Sequence, residues 1–237
     1  MSDFFWSPDD APDDRALRAT KSFDLQNPHI QKVIREVTQP SQSDEEKAIA
    51  LFNFVRDEIR YDPYRVGLDP ALFVGSDPIL AGHAYCVPKA ITWVTLLRAC
   101  GIPALLGFAD VTNHLSSPKL LENLRSTIFA HHGYGVVWLH GRWIKATPTF
   151  NRTLCAKAGI RVLDFNGVDD AIFHPFDAAG HRHMEYLKDD GWRWDFDLQE
   201  LDDAYREHYP HWYDGTVPAL TAQGVDFERE VEDAART

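Results

Sequence analysis

Two cysteines share one predicted helix near the middle of the chain. The segment HAYCVPKAITWVTLLRACGIP, residues 83–103, places Cys86 in the first turn of that helix and Cys100 in its last turn. Unpaired N–H groups and the positive end of the helix dipole point at a side chain in the first turn. Such a position lowers the thiol pKa of reactive cysteines from ~8.5 toward ~3.5 to 7.5. Cys86 is therefore a candidate nucleophile, whereas Cys100 is expected to be a core residue.

A nucleophilic cysteine needs a base, and His132 is the candidate. It opens the predicted strand HGYGVVWL, 132–139, which a two-residue His-Gly turn joins to the predicted strand RWIKAT, 142–147. In this register position 134 faces position 147, so Thr147 lies diagonal to His132 on the same face of the hairpin. The Thr147 hydroxyl can orient the imidazole, but it cannot balance the charge of an imidazolium.

Three further residues are candidates for binding the substrate. Tyr85 directly precedes the candidate nucleophile, and Asp110 and Asn113 lie at the end of the predicted strand that begins at residue 104. Strand ends near such a helix often line a pocket, although Asp and Asn also cap turns. The N–H group of Cys86 is the expected donor to an oxyanion, because it lies at the start of the helix. Lys89, in the first turn, is expected to be solvated.

Other histidines have simpler interpretations. His131 is expected to point away from His132, because neighbouring residues of a strand face opposite sides. The segment HRHME places His181, His183 and Glu185 at the alternate spacing of a metal chelate, but without an accompanying cysteine. A solvated or hydrogen-bonded surface is the more typical interpretation. We therefore predict no metal site, and a metalloprotein built on His181 and His183 is the weaker alternative.

Helix signals surround the candidate nucleophile. An Asn-Pro pair at 27–28 predicts the start of a helix, and Ser43 with Glu46 predicts a capping box for the next one. Gly101 and Pro103 end the cysteine helix, and a short helix is predicted around 118–128. The chain beyond residue 151 is predicted to be rich in loops, with one amphipathic helix at about 198–208. Its aromatic residues either cover the cleft or pack in the core: Trp192, Trp194, Tyr209 and Trp212.

Composition excludes several classes of function. Lys and Arg number 24 against 36 Asp and Glu, so the net charge of −12 argues against nucleic acid as a partner. The first residues lack the pattern of a signal peptide, and no apolar run approaches the ~20 residues that span a bilayer. We therefore expect a cytoplasmic protein that does not enter a membrane. The three cysteines have no CxxC spacing, which favours free thiols. We expect an acidic arm at 1–20 and one domain at 21–237, with its core at 43–151 and an aromatic extension at 152–237.

The quoted residues resemble the transglutaminase-like superfamily of cysteine enzymes. The segments YCVPKAITWVTLLRACGIPALLGF and HGYGVVWLHGRWIKATPTF are similar to its cysteine helix and histidine strand, and LFNFVRDEIRYDPY is similar to the helix and loop before them. The resemblance implies an α+β, papain-like fold in which the cysteine helix packs on an antiparallel sheet. It implies that Cys86 is the nucleophile and His132 the general base and acid. It also implies acyl transfer from an amide or ester of a peptide or small molecule, through a thioester and without a cofactor.

One position departs from the family pattern, because Thr147 stands where the family has an aspartate. Three explanations stay open. Thr147 itself orients His132; another polar group, for instance Asn151, Asp110 or Asn113, reaches the ring; or the chain is a non-catalytic binding protein on the same fold. Loss of a triad aspartate can cost ~10⁴ in rate when the wrong histidine tautomer results.

Overall fold

The computed structural model describes residues 4–113, 117–172, 184–214 and 226–235. Within these residues the helices are α1 (Pro28–Val37), α2 (Asp44–Glu58), α3 (Asp77–Ala81), α4 (Cys86–Ala99), α5 (Pro118–Leu124), α6 (Arg152–Ala158), α7 (Leu198–His208) and α8 (Phe227–Ala235). The strands are β1 (Phe5–Trp6), β2 (Arg60–Tyr61), β3 (His83–Ala84), β4 (Ala104–Asn113), β5 (Ile128–Leu139), β6 (Arg142–Ala146) and β7 (Met184–Arg193). None of the described helices has the length and apolar character that a membrane span requires.

The main sheet has five strands in the order β1-β7-β4-β5-β6, and each neighbouring pair is antiparallel. Leu139 pairs with Arg142 in the β5–β6 hairpin, and the ladder continues to Gly135 and Ala146. This is the predicted register. His140 and Gly141 have φ angles of 53° and 75°, the left-handed conformation that a tight two-residue hairpin turn needs.

Helix α4 is the centre of the molecule. Every residue from Val87 to Arg98 is buried, which matches the nearly continuous apolar sequence of the helix. The helix packs on β5 at two glycines: a Cβ on Gly133 would lie 2.8 Å from the Val87 Cα, and one on Gly135 would lie 2.4 Å from the Trp93 ring. The α+β architecture, with the cysteine helix on an antiparallel sheet, is the one predicted.

The position of Lys89 in the first turn of the helix predicted a solvated side chain, but the side chain is fully buried. Its ammonium donates to the carbonyl oxygens of Arg56, at 3.1 Å, and Ile59. These carbonyls lie at the C-terminal end of α2, where helical carbonyl groups lack partners within the helix and attract a cation. Lys89 therefore ties α2 to the first turn of α4. Burial lowers the pKa of Lys89 to about 7.

The N-terminal residues form part of the sheet. Phe5 and Trp6 pair with Arg193 and Trp192 of β7. Trp6 is buried and packs edge-on against Trp143, with 5.9 Å between the ring centroids. The part of the predicted 1–20 arm that the structure describes is thus attached to the sheet from residue 5 onward.

The chain after residue 151 is more regular than predicted. Helices α1, α2, α4, α5 and α7 and strands β4 to β6 lie where the sequence indicates them, and the capping box of α2 is present. Helices α6 and α8 and strand β7 were expected to be loops, and that prediction was wrong. The β7 sequence MEYLKDDGWR has little hydrophobic alternation, and β7 forms because β4 and β1 supply hydrogen-bonding partners on both of its sides.

Candidate active site

Cys86 is the first residue of α4 and is half-buried. The backbone N–H groups of Cys86, Val87 and Gly133 reach its sulfur and favour the thiolate. Gly133 follows His132 directly in β5. The close approach of Gly133 to Val87 therefore brings the sulfur next to the strand that carries the candidate base.

His132 is buried, and its Nε2 atom lies 3.1 Å from the Thr147 hydroxyl oxygen. That hydroxyl lies 2.8 Å from the hydroxyl of Thr149, so two buried threonines form a short polar chain behind the ring. The N–H group of Thr147 donates to the carbonyl of Ala171 at 3.0 Å, which holds the end of the hairpin in place. Thr147 thus occupies the position at which the sequence placed it, in contact with the His132 ring.

A β-bulge orients His132. Ala109 pairs with His132, but the ladder then shifts, and His131 takes a φ of 51°. The bulge leaves two N–H groups outside the ladder: Asp110 accepts from His131 at 3.0 Å, and the Tyr209 hydroxyl accepts from Ala130 at 2.7 Å. Bulges commonly redirect a side chain beside an active site. Sequence patterns did not predict the bulge, because the residue with the positive φ angle is His131 and not a glycine.

The Cys86 thiol and the His132 imidazole are both neutral near pH 7. Burial raises the pKa of the Cys86 thiol to about 11, in spite of the three N–H groups that lower it. Burial also lowers the pKa of His132 to about 3. The expectation that the helix start would lower the thiol pKa was therefore wrong in direction, because loss of water disfavours the thiolate more than the N–H groups favour it.

Cys86 and His132 line the same cavity. Its volume is about 430 Å³, counted to its open mouth. Besides these two residues, the described walls comprise Tyr61, Pro63, Val66, Tyr85, Leu120, Leu124, Phe129, Ala130, Tyr205, Tyr209 and Trp212. Tyr85 therefore lies in the position predicted for it. Of the aromatic residues expected to cover the cleft or pack in the core, Tyr209 and Trp212 line the cavity, whereas Trp192 packs against Trp143.

Two of the other candidate residues lie elsewhere. Asp110 is not on the cavity wall but beside His131. The Asn151 side chain accepts a hydrogen bond from the N–H of Tyr61 and donates one to Glu228. It therefore connects α8 to Tyr61, a residue of the cavity wall. Asn113 belongs to β4, but its side chain lies outside the described residues, as do His181 and His183. Tyr205 and the two leucines of α5 line the cavity although nothing in their sequence spacing indicated it.

One described group has the donor set for a metal ion. Ligand atoms of Asp110, His131 and Asp190 lie within 4.8 Å of one another. Lys188 already supplies a positive charge there, because its ammonium lies 2.6 Å from a carboxylate oxygen of Asp190. The His131 ring stacks on Phe108, with 4.9 Å between the centroids. The group is a partly buried ionic cluster, in which the His131 Nε2 and Asp190 Oδ2 atoms form no hydrogen bond with the described residues.

Comparison with protein families identifies the chain. The family model of the transglutaminase-like superfamily matches residues 31–148, which include α4, Cys86, His132 and Thr147. The chain belongs to the transglutaminase-like superfamily. The match ends before α6, so the cavity walls contributed by α7 and by the turn Pro210–Trp212 lie outside the part of this transglutaminase-like chain that defines the family.

Solved structures include a similar chain, a proposed cysteine protease from Cytophaga hutchinsonii. The identity is 16%, the TM-score is 0.45, and the similarity covers 80% of this transglutaminase-like chain and 61% of the other. The chain thus spans less than two thirds of that structure's length. Comparison with curated proteins gives no significant match.

Proposed function

We propose that this protein is a cysteine-dependent acyl-transfer enzyme acting on an amide or ester. The observation that supports the proposal is the meeting of α4 and β5 at Gly133, where the Gly133 N–H reaches the Cys86 sulfur and both Cys86 and His132 line one cavity. Membership of the transglutaminase-like superfamily supports it. In this proposal Cys86 is the nucleophile, His132 is the general base and acid, and Thr147 is a positioning residue.

The first step forms a carbon–sulfur bond. As the Cys86 sulfur attacks the carbonyl carbon, its proton passes to His132 and the carbonyl electrons move onto oxygen. The N–H groups at the start of α4 are available to that oxyanion. When the tetrahedral intermediate collapses, the bond to the leaving amine or alcohol breaks, and His132 returns the proton to that leaving group.

The second step reverses the first with a new acceptor. Water or an amine attacks the thioester, His132 takes the acceptor's proton, and the sulfur leaves with that proton as a thiol. Water gives hydrolysis and an amine gives aminolysis. A peptide and a small-molecule amide or ester are both acyl donors of the required chemistry.

The neutral state of the pair determines how the sulfur is activated. Because the pKa of Cys86 is about 11 and that of His132 is about 3, a thiolate–imidazolium pair is disfavoured before substrate binds. Thr147 provides a hydroxyl at Nε2 and no negative charge. The proton therefore moves during attack, with neutral imidazole as the base, rather than beforehand.

The same observation favours a second candidate, a non-catalytic binding protein. A buried neutral thiol and a neutral imidazole are also what a cavity would retain if it bound a ligand without reaction. The two candidates differ in whether Cys86 becomes acylated.

Acylation by p-nitrophenyl hexanoate separates the candidates. The parent is Cys100→Ser, since Cys100 is also half-buried and would react in the background. We expect a burst of p-nitrophenol and one acyl group on the Cys86 peptide by mass spectrometry. Cys86→Ala should abolish the adduct, and His132→Gln should slow its formation by ~10² to 10⁴. An unmodified Cys86 peptide, or a His132→Gln rate equal to that of the parent, would refute the enzymatic proposal.

A further inference from the structure

The lining of the cavity beside Cys86 is largely apolar, and the polar groups of four of its aromatic side chains form hydrogen bonds within the protein. The Tyr205 hydroxyl donates to that of Tyr85 at 3.3 Å, and the Tyr209 hydroxyl donates to the carbonyl of Ile128 at 2.8 Å. The indole N–H of Trp212 donates to the carbonyl of Asn123 at 3.2 Å. These groups are committed to the protein, so their rings present chiefly carbon to a ligand.

Charge is absent from the described cavity wall. Among its described residues there is no Asp, Glu, Lys or Arg, and Leu120, Leu124, Pro63 and Val66 complete the apolar surface. A carboxylate or ammonium carried into this cavity would lose its hydration without gaining a partner of opposite charge. The net charge of −12 further disfavours an anionic ligand.

Size is the third constraint. The space of about 430 Å³ includes the open mouth of the cavity, so it is an upper bound on the size of the acyl group that the cavity holds. A hydrocarbon chain or an aromatic ring is within that bound.

We infer that the acyl group transferred by this protein is uncharged and apolar, a hydrocarbon chain or an aromatic ring that occupies the cavity between α5 and α7. The inference rests on the proposed function, because it names the acyl donor of that reaction. Trp212 and Leu124 contribute to the apolar wall that contacts this acyl group, and the leaving group points toward the open mouth of the cavity.

Matched acyl donors test the inference. In the Cys100→Ser background, acylation of Cys86 is measured with p-nitrophenyl acetate, p-nitrophenyl hexanoate and mono-p-nitrophenyl adipate, each rate divided by that ester's rate with free 2-mercaptoethanol. The adipate has the same chain length as the hexanoate but ends in a carboxylate. Each buried methylene raises the acylation rate by up to ~4-fold. We therefore expect the normalised rate with the hexanoate to be at least ~10-fold higher than the rate with the acetate, and at least ~100-fold higher than the rate with the adipate. Equal normalised rates, or preference for the adipate, would overturn the inference while leaving acyl transfer intact.

A cavity variant gives a second measure. Trp212→Ala should lower the hexanoate-to-acetate ratio at least ~3-fold, because it removes an apolar wall. Trp138→Ala is the matched control, since Trp138 is also half-buried but packs on Trp143 away from the cavity. An unchanged ratio in Trp212→Ala, or an equal change in the control, would contradict the assignment of this wall.

Alkylation keeps the two proposals distinguishable. In the wild-type chain, N-hexyl iodoacetamide is compared with iodoacetamide and iodoacetate by peptide mapping, and Cys100 serves as the internal reference. If Cys86 prefers the hexyl reagent more strongly than Cys100 does, the apolar site is supported. If, in addition, no ester acylates the Cys86 sulfur, only the enzymatic function is refuted. Absence of that preference would refute the apolar site.

Discussion

A hydroxyl, rather than a carboxylate, contacts the Nε2 atom of His132. Burial lowers the pKa of His132 to about 3, and the Thr147 hydroxyl adds no negative charge that would oppose it. At the scale of single residues, the protein therefore orients its imidazole through a chain of two threonine hydroxyls and leaves it uncharged.

Thr147→Asp should restore the missing charge. An opposite charge at this distance raises a histidine pKa by about 1 to 3 units and makes a thiolate–imidazolium pair accessible. We therefore expect iodoacetamide to alkylate Cys86 at a pH at least about one unit lower than in Thr147→Asn, the neutral variant of the same size. Peptide mapping across pH 5 to 10 measures the shift, and thermal unfolding confirms that both variants fold. Identical pH profiles would show that the charge at position 147 does not control the sulfur.

Glycines, at the scale of elements, set how closely α4 approaches β5. Gly133 faces the backbone of Val87, whereas Gly135 faces the side chain of Trp93. The first contact leaves no room for a methyl group, and its two residues directly follow Cys86 and His132 in the chain. The second contact lies further along the same strand, over the middle of the helix.

Gly133→Ala should separate the sulfur from the imidazole. The added Cβ, 2.8 Å from the Val87 Cα, pushes apart two backbones that cannot yield locally. We expect a loss of about 1 to 3 kcal/mol in the free energy of unfolding and at least a ~10-fold slower acylation of Cys86 per folded molecule. Gly135→Ala should lose comparable stability but keep its acylation rate within ~3-fold. If both variants acylate equally, the approach at Gly133 does not position the pair.

The helices and strands differ in how well their own sequences predict them. The α2 capping box, the Asn-Pro start of α1 and the His-Gly turn are local signals, and each predicted its element with the correct register or start. Strand β7 has no such signal, because its hydrogen-bonding partners come from β4 and β1, which are distant in the chain. The same reasoning applies to the site: local spacing indicated Cys86, His132 and Thr147. The pKa values and the apolar wall depend on long-range burial.

At the scale of the whole molecule, the C-terminal region completes the cavity. Residues 31–148 contain Cys86 and His132, but Tyr205, Tyr209 and Trp212 form one wall of the cavity that these two residues line. Tyr209 connects this wall to β5, because its hydroxyl accepts from Ala130 and donates to Ile128. The Tyr209 hydroxyl therefore links this cavity wall to the β-bulge beside His132.

Tyr209→Phe should loosen this link. It leaves the Ala130 N–H without its partner in a buried strand, at a cost of about 1 to 3 kcal/mol. We expect a lower ratio of hexanoate to acetate acylation as well as a lower midpoint of thermal unfolding. Tyr213→Phe is the control, because the Tyr213 hydroxyl bonds Asp202 within the C-terminal region itself. That variant should keep the wild-type ratio, and a similar change in both would argue against a specific role for Tyr209.

The sheet order has a consequence for synthesis of the protein on the ribosome. Strand β7, Met184–Arg193, lies between β1 and β4, so one edge of β4 stays unpaired in the nascent chain until β7 emerges. At translation rates of about 5 to 20 residues per second, that interval lasts several seconds. The unpaired N–H and C=O groups at the open edge of an apolar strand can form hydrogen bonds with a strand of another chain. Fragments that stop at residue 148, although they carry Cys86 and His132, should therefore aggregate rather than fold.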